Sequence, residues 1–183
     1  ERIAGENTFS PSQTIARWNP YGITVNTERY EAFFKSGHVL DDDEKYHLAF
    51  FGTYQTHSQR SLFGLRHYNG NEGTFTTRAV FTAKFDENIS LVSGASYLVD
   101  NIEETFDVNT VSRYESVPGI FAEATIKSEK KWTFLTGIRY DRHNIAGDII
   151  VPRIMVKYDI DEQSTIRLSA GKGLRFANVF AEN

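Results

Sequence analysis

The chain has 183 residues, 40% hydrophobic, 24% charged and 14% aromatic, with a formal net charge of -4. It is too apolar and too aromatic to be disordered, and it lacks the roughly 20 consecutive apolar residues of a helical membrane span. Lys and Arg number 20 against 24 Asp and Glu, so no basic excess points to nucleic acid, and the absence of cysteine removes disulfides, zinc-thiolate sites and thiol catalysis. The mean hydropathy of -0.42 describes a mildly acidic, soluble-looking domain. The opening Glu1-Arg2-Ile3-Ala4 is neither an initiator nor a signal peptide, which implies a segment removed upstream.

In chain order, residues 1–27 show no clean period and contain Pro11, Trp18 and Pro20, so they are expected to form an irregular segment or long loop. Period two dominates from residue 28 onward. Eight strands are expected, at 28–40, 45–57, 72–84, 89–100, 113–127, 132–142, 149–159 and 164–173. In the third, Phe75, Thr77, Ala79 and Phe81 alternate with Thr74, Thr76, Arg78 and Val80. In the sixth, Trp132, Phe134, Ile138 and Tyr140 alternate with Thr133, Leu135, Arg139 and Asp141. The seventh sets Ile150, Ile154, Val156 and Tyr158 against Val151, Arg153, Met155 and Lys157, and the eighth sets Ile166 and Leu168 against Arg167 and Ser169. Two features resist the scheme. Phe33-Phe34 and Phe50-Phe51 leave their strands without a clear apolar face, which a bulge or a protein-covered lumen would reconcile. Pro152 removes a ladder donor, which predicts a bulge, an edge, or a later strand start.

The connections alternate in kind. Short polar turns fall at 41–44, 85–88, 128–131 and 160–163, and longer loops are expected at 58–71, 101–112 and 143–148. That asymmetry suits an up-and-down antiparallel meander whose two ends face different surroundings, as in outer-membrane barrels. Several strands also exceed the usual five or six residues and reach the ~9–11 of a membrane-spanning strand. Tyr30, Tyr97, Tyr114, Trp132, Tyr140 and Tyr158 gather toward strand ends, where an interfacial aromatic girdle would lie.

Catalytic and metal motifs are weak. His38, His47, His57, His67 and His143 form no HExxH and no near pair with a carboxylate, so strand-end or loop histidines are the better reading. The acidic run Asp41–Glu44 lacks calcium-loop spacing, Gly171-Lys172-Gly173 lacks a phosphate-loop frame, and no nucleophile elbow occurs. No metal, no cofactor and no enzymatic activity are expected. Arg78, Arg139, Arg153 and Arg167 all fall on the polar face of their strands. That face is a solvated exterior in a soluble sandwich and looks inward in a large barrel, and periodicity leaves both open.

The C-terminal third carries a family resemblance. Val117-Pro118-Gly119-Ile120-Phe121, then Thr133 to His143 with Gly137-Ile138-Arg139-Tyr140-Asp141, then Val151-Pro152-Arg153, then Ser164 to Asn183 with Arg167, Gly171, Gly173 and Arg175, resembles in order the barrel of TonB-dependent outer-membrane receptors. Arg29-Tyr30-Glu31-Ala32-Phe33 and Phe63-Gly64-Leu65-Arg66-His67-Tyr68 resemble the Bacteroidota branch. The resemblance covers roughly residues 28 to 183. It implies an all-β segment of a transmembrane barrel of about 22 strands closed around a plug, with this chain supplying about eight strands and neither plug nor energy-coupling box. The ending Ala181-Glu182-Asn183 lacks the terminal aromatic usual in complete barrels, which also favours a fragment.

The implied function is import of a scarce nutrient, a siderophore, haem, cobalamin or glycan, across the outer membrane of a Gram-negative bacterium. The implied partners are outer-membrane lipid, the plug and remaining barrel of the same receptor, TonB through the missing N-terminal region, and a nutrient ligand, with no nucleic acid. Arg78, Arg139, Arg153 and Arg167 would face lumen or plug. Phe63, Arg66, His67 and Tyr68 would form a candidate extracellular ligand loop, or equally a lid that touches no ligand. The alternative is a stand-alone eight-stranded outer-membrane or lipocalin-like barrel, which would turn Trp132, Phe134 and Ile138 inward around a small ligand.

Overall fold

The structure, a computed structural model, describes residues 2–5, 22–128 and 131–173. These form one antiparallel sheet in strict sequence order: β1 (Arg2–Gly5), β2 (Gly22–Val39), β3 (Tyr46–Phe63), β4 (Arg66–Lys84), β5 (Ile89–Phe106), β6 (Asn109–Ser128), β7 (Trp132–His143), β8 (Gly147–Asp159) and β9 (Thr165–Gly171). The eight expected strands are β2 to β9. The segment expected to be irregular departs from that reading in two places: β2 already begins at Gly22, and β1 pairs Arg2 with Val25 and Gly5 with Gly22. Residues 6–21, which contain Pro11, Trp18 and Pro20, lie outside the described residues, as do 129–130 and 174–183.

The short turns are built by aspartates that accept backbone N–H groups two to five residues ahead, the local bonding that makes Asp a turn residue. Asp41 accepts from Lys45 and Tyr46 (3.1 and 2.7 Å), Asp86 from Asn88 and Ile89 (both 2.7 Å), and Asp161 from Gln163 (2.9 Å). At the opposite end the expected long loops at 58–71 and 101–112 are instead continuous ladder. β3 and β4 pair up to Phe63 with Arg66 around Gly64-Leu65, and β5 and β6 up to Phe106 with Asn109 around Asp107-Val108. Gly64 and Asp107 take positive φ (65° and 53°), as tight hairpins require. The third expected loop, 143–148, shrinks to residues 144–146, with Gly147 at φ 77°. Neither hairpin above residue 56 has an apolar face, so the alternation that marks strands fades there while backbone pairing continues.

The two difficult features resolve without bulges. The β2–β3 register runs unbroken from Ile23 with Phe63 to Val39 with His47, so Phe34 and Phe50 share one face and Phe33 and Phe51 the other. The Lys35 ammonium lies 5.5 Å from the Phe51 ring, a cation–π contact on that second face. Pro152 O accepts from Lys172 N (3.1 Å), so its missing donor points toward β9, where the ladder ends at Arg153 with Gly171. No bulge interrupts β8 at that proline, which lies at the end of the described β8–β9 ladder.

Removing the acceptor in Asp86→Ala should cost about 1 kcal/mol locally. Amide exchange at Asn88 and Ile89 is expected to quicken roughly fivefold, with Asp107 and Val108 unchanged.

Candidate functional site: a charged face beneath cross-braced hairpin tips

Because side chains alternate along every strand and directly paired residues share a face, the register divides the sheet into two surfaces. On β7 every even residue from Trp132 to Arg142 is exposed and every odd one from Thr133 to His143 is not. β6 shows the same bias. A twisted, curling sheet crowds side chains on its concave side, so the odd residues of β7 mark the crowded face and the even ones the open face. Trp132, Phe134 and Ile138 are 39%, 45% and 56% exposed on the open face, the reverse of the lipocalin-like arrangement.

Between two rows of aromatic residues the open face carries, among the described residues, no Asp, Glu, Lys or Arg. On β3 it reads Tyr46, Leu48, Phe50, Gly52, Tyr54; on β6 Pro118, Ile120, Ala122, Ala124, Ile126; on β8 Ile150, Pro152, Ile154, Val156, Tyr158. The lower row includes Tyr46 stacked on Phe81 (centroids 6.2 Å) and Trp132 against Tyr158 (4.4 Å). The upper row includes Tyr54, Tyr97 and Tyr140, the last two donating or sharing hydrogen bonds with Ser116 (3.0 Å) and Asp148 (2.7 Å). Phenol tips wetted at a band edge suit an apolar–polar boundary.

The crowded face is charged at the same heights. A repeated unit sets a basic residue two positions before an acid, so both project side by side. Among the described residues Arg29–Glu31 (3.2 Å), Arg113–Glu115 (2.7 Å), Arg139–Asp141 (2.7 Å) and Lys157–Asp159 (2.8 Å) are ion pairs of this kind. The exposed Arg29 pair contributes little to stability. Arg139 differs, because its guanidinium forks onto both Asp141 oxygens and also donates to Ser96 Oγ (2.9 Å) on β5, crossing β6. Gly119 on β6 makes that crossing possible, since a Cβ there would collide with Asp141 Oδ1 and approach Arg139.

Of the four arginines singled out from the sequence, Arg78, Arg139 and Arg153 line one hollow of about 260 Å³ with Glu123 and Phe121. Among the described residues neither Arg78 nor Arg153 enters an ion pair, so the hollow is cationic. Arg167 shares the face but stands apart on β9, opposite Lys157. The partner acids Glu115, Asp141 and Asp159 were missed by sequence reasoning, although the basic-x-acidic spacing in strands is a readable signal.

Phe63, Arg66, His67 and Tyr68 form the β3–β4 hairpin tip, and it is braced to its neighbour. Arg66 lies over the Phe106 ring (5.7 Å), His67 and Asp107 exchange hydrogen bonds (2.8 and 2.9 Å), and Tyr68 donates to Glu104 (2.9 Å). Phe63, Arg66 and Tyr68 share the crowded face, whereas His67 faces the open side. Burial and then the Glu104 hydrogen bond push the Tyr68 phenol up to about 12. Nearby, the nearly buried His143 accepts N–H bonds from Ile145 and Ala146 at Nδ1, which leaves the Nε2 proton for Glu115 at 3.3 Å. This fixes His143 as a strand-end brace.

The TonB-dependent receptor-like, β-barrel family matches residues 4–182. The chain belongs to that family. Among solved structures, the siderophore receptor PirA of Pseudomonas aeruginosa is similar at TM-score 0.67 and 12% identity, over 88% of this chain and 31% of that one. The ferric citrate transporter FecA is similar at TM-score 0.60 and 11% identity, over 82% and 28%, and the ferric preacinetobactin receptor BauA of Acinetobacter baumannii at 0.59 and 10%, over 78% and 29%. At these identities the likeness is one of fold, and this chain spans about a third of the receptors' length. No curated protein matches the chain in sequence. As a TonB-dependent receptor-like barrel segment it carries the pattern of a wall, one face apolar between aromatic rows and the other charged.

Gly119→Leu should cost about 1–3 kcal/mol by overpacking against the Arg139–Asp141 fork, whereas Gly37→Leu, where nothing lies within 4 Å of a Cβ, should leave thermal unfolding of the barrel nearly unchanged. The raised Tyr68 phenol favours the folded state below pH 10 and loses that contribution as pH rises from 10 toward about 12. In a tyrosinate absorbance titration the Tyr68 transition should move down in Glu104→Gln.

Proposed function

We propose that this chain is wall rather than motor in an outer-membrane nutrient receptor of a Gram-negative bacterium. The observation that carries the reading is the sidedness of the band: uncharged and apolar on the open face, cationic on the crowded face at the same height. Lipid against the open face satisfies the first, since a charge at mid-depth on a barrel's lipid side costs about 2–4 kcal/mol. A plug domain of the same receptor satisfies the second, its carboxylates meeting the unpaired Arg78 and Arg153. An open sheet edge in hydrocarbon is costly because each unpaired backbone group there loses several kcal/mol, so further barrel strands would flank this sheet.

The short aspartate turns would lie on the periplasmic side and the long hairpins would rise outside the cell. There the braced tip with Phe63, Arg66 and Tyr68 would border the vestibule through which ligand enters, while His67 would stand on its outer side. Energy would come through TonB acting on the receptor's N-terminal region. The similar solved proteins include a siderophore receptor, a ferric preacinetobactin receptor and a ferric citrate transporter, and a scarce nutrient of the siderophore, haem, cobalamin or glycan class is the cargo this reading assigns to the intact protein.

Cysteines at 138 and 139 in the intact receptor test the orientation. A membrane-impermeant thiol reagent should label 139 and leave 138 silent in sealed cells. Ready labelling of 138 with 139 silent would sink the reading.

A further inference from the structure

The β7–β8 hairpin depends on a buried group that can take up a proton. Alternation puts His143, the last residue of β7, on the crowded face, where its side chain is 3% exposed. The turn that follows is only residues 144–146, because Gly147 takes φ 77° and pairs back with His143. Two sets of bonds hold that turn. Asn144 ties it to β6, accepting from Ser116 N (2.9 Å) and donating to Tyr114 O (2.9 Å). His143 holds the rest, its Nδ1 accepting from Ile145 N (3.1 Å) and Ala146 N (3.4 Å). An amide side chain bonds in the same way at any pH, whereas an imidazole nitrogen accepts only while it carries no proton.

We propose that His143 is an acid-responsive latch on this hairpin, working against Glu115. In the neutral ring Nδ1 is the acceptor, so Nε2 carries the proton and donates it to Glu115 Oε2 at 3.3 Å. A second proton has to enter at Nδ1, where it points at two backbone N–H groups. Both of those bonds are then lost. The imidazolium keeps its place against Glu115, with which it forms a full ion pair. Proton uptake exchanges turn bonds for charge attraction, so the ring stays while the turn lets go. Among the described residues the charges around the ring come from three strands. On β6 Arg113 Nε lies 2.7 Å from the other Glu115 oxygen, and on β5 Asp100 sets a carboxylate beside that pair. On β7 Asp141, two residues back, is engaged by Arg139. Opposite His143 and Asp141, β8 presents Gly147 and Ile149, neither of which titrates. Glu115, Asp100 and Asp141 outnumber Arg113 and Arg139, so the added charge on the ring is matched locally. On the transport reading this hairpin stands at the barrel mouth, which the latch loosens in an acidic medium; only that placement rests on the reading.

Residue-resolved amide exchange on the intact receptor in detergent, from about pH 7.5 to about pH 5.5, tests the latch across the histidine range. With each rate divided by its intrinsic value, protection at Ile145 and Ala146 should fall roughly fivefold, the loss of one bond apiece. Ser116, held by Asn144, and Asp107, held by His67 O, should not change. His143→Asn offers an amide oxygen that accepts from Ile145 N and does not titrate, so protection at Ile145 should become independent of pH. Glu115→Gln keeps an acceptor for Nε2 without the charge, and should move the loss to lower pH. Wild-type protection that stays flat over this range overturns the latch. So does a loss that persists in His143→Asn, that Asp107 shares equally, or that Glu115→Gln leaves at the same pH. None of these results bears on which face meets lipid, so the latch and the transport reading fail separately.

Discussion

The constraint on which this structure depends is backbone hydrogen bonding without water. A segment that meets hydrocarbon must satisfy every N–H and C=O internally. Here each neighbouring pair from β2–β3 to β8–β9 is joined by a ladder of continuous register, including across Phe33-Phe34 and Phe50-Phe51. The two strand prolines sit at the margins of their described ladders, where a missing donor costs least. Pro152 faces the end of β9, and Pro118 lies one residue before the β6–β7 pairing begins at Gly119 with Asp141. Asn144 then extends β6 artificially, accepting from Ser116 N (2.9 Å) and donating to Ser116 O and Tyr114 O (3.2 and 2.9 Å).

Once the register is fixed, period two fixes everything else about the two surfaces. A charge moved by one residue would change sides, so Ile138 and Arg139 meet opposite environments although they are adjacent. On the crowded side Arg29, Arg113, Arg139 and Lys157 each lean on an acid two positions along, which neutralises those charges locally. Small residues let these pairs lie flat. Gly119 admits the Arg139 fork, and Gly94 admits the Phe121 ring, which a Cβ there would meet at 2.7 Å. Among the described residues Arg78 and Arg153 enter no such pair, and that surplus leaves the crowded face cationic around them.

How much of this was legible in the sequence follows from where the alternation has contrast. Between the aromatic rows each strand sets apolar against polar residues, so β4, β7, β8 and β9 and the common face of the four arginines could be read directly. Above the rows both faces are polar, as in Thr56, Ser58 and Arg60 against His57, Gln59 and Ser61. The pattern is lost there, and paired hairpins read as loops. Clustering is a property of register, which is why Arg167 could not be separated from Arg78, Arg139 and Arg153 by its face alone. For the same reason the tip residues read as one surface, although His67 points away from Phe63, Arg66 and Tyr68. The spacing of Arg113 with Glu115 and Arg139 with Asp141 was readable and marks the crowded face of these strands.

The central claim is that one face of this sheet meets lipid only between the aromatic rows. A nitroxide scan along β5 from Ile89 to Phe106 in the reconstituted receptor tests it most directly. Oxygen accessibility should peak at odd positions from 89 to 97, and above 99 those positions should instead favour a water-soluble relaxation agent. Oxygen peaks at the even positions, or an oxygen alternation that continues unchanged to 106, would contradict the account.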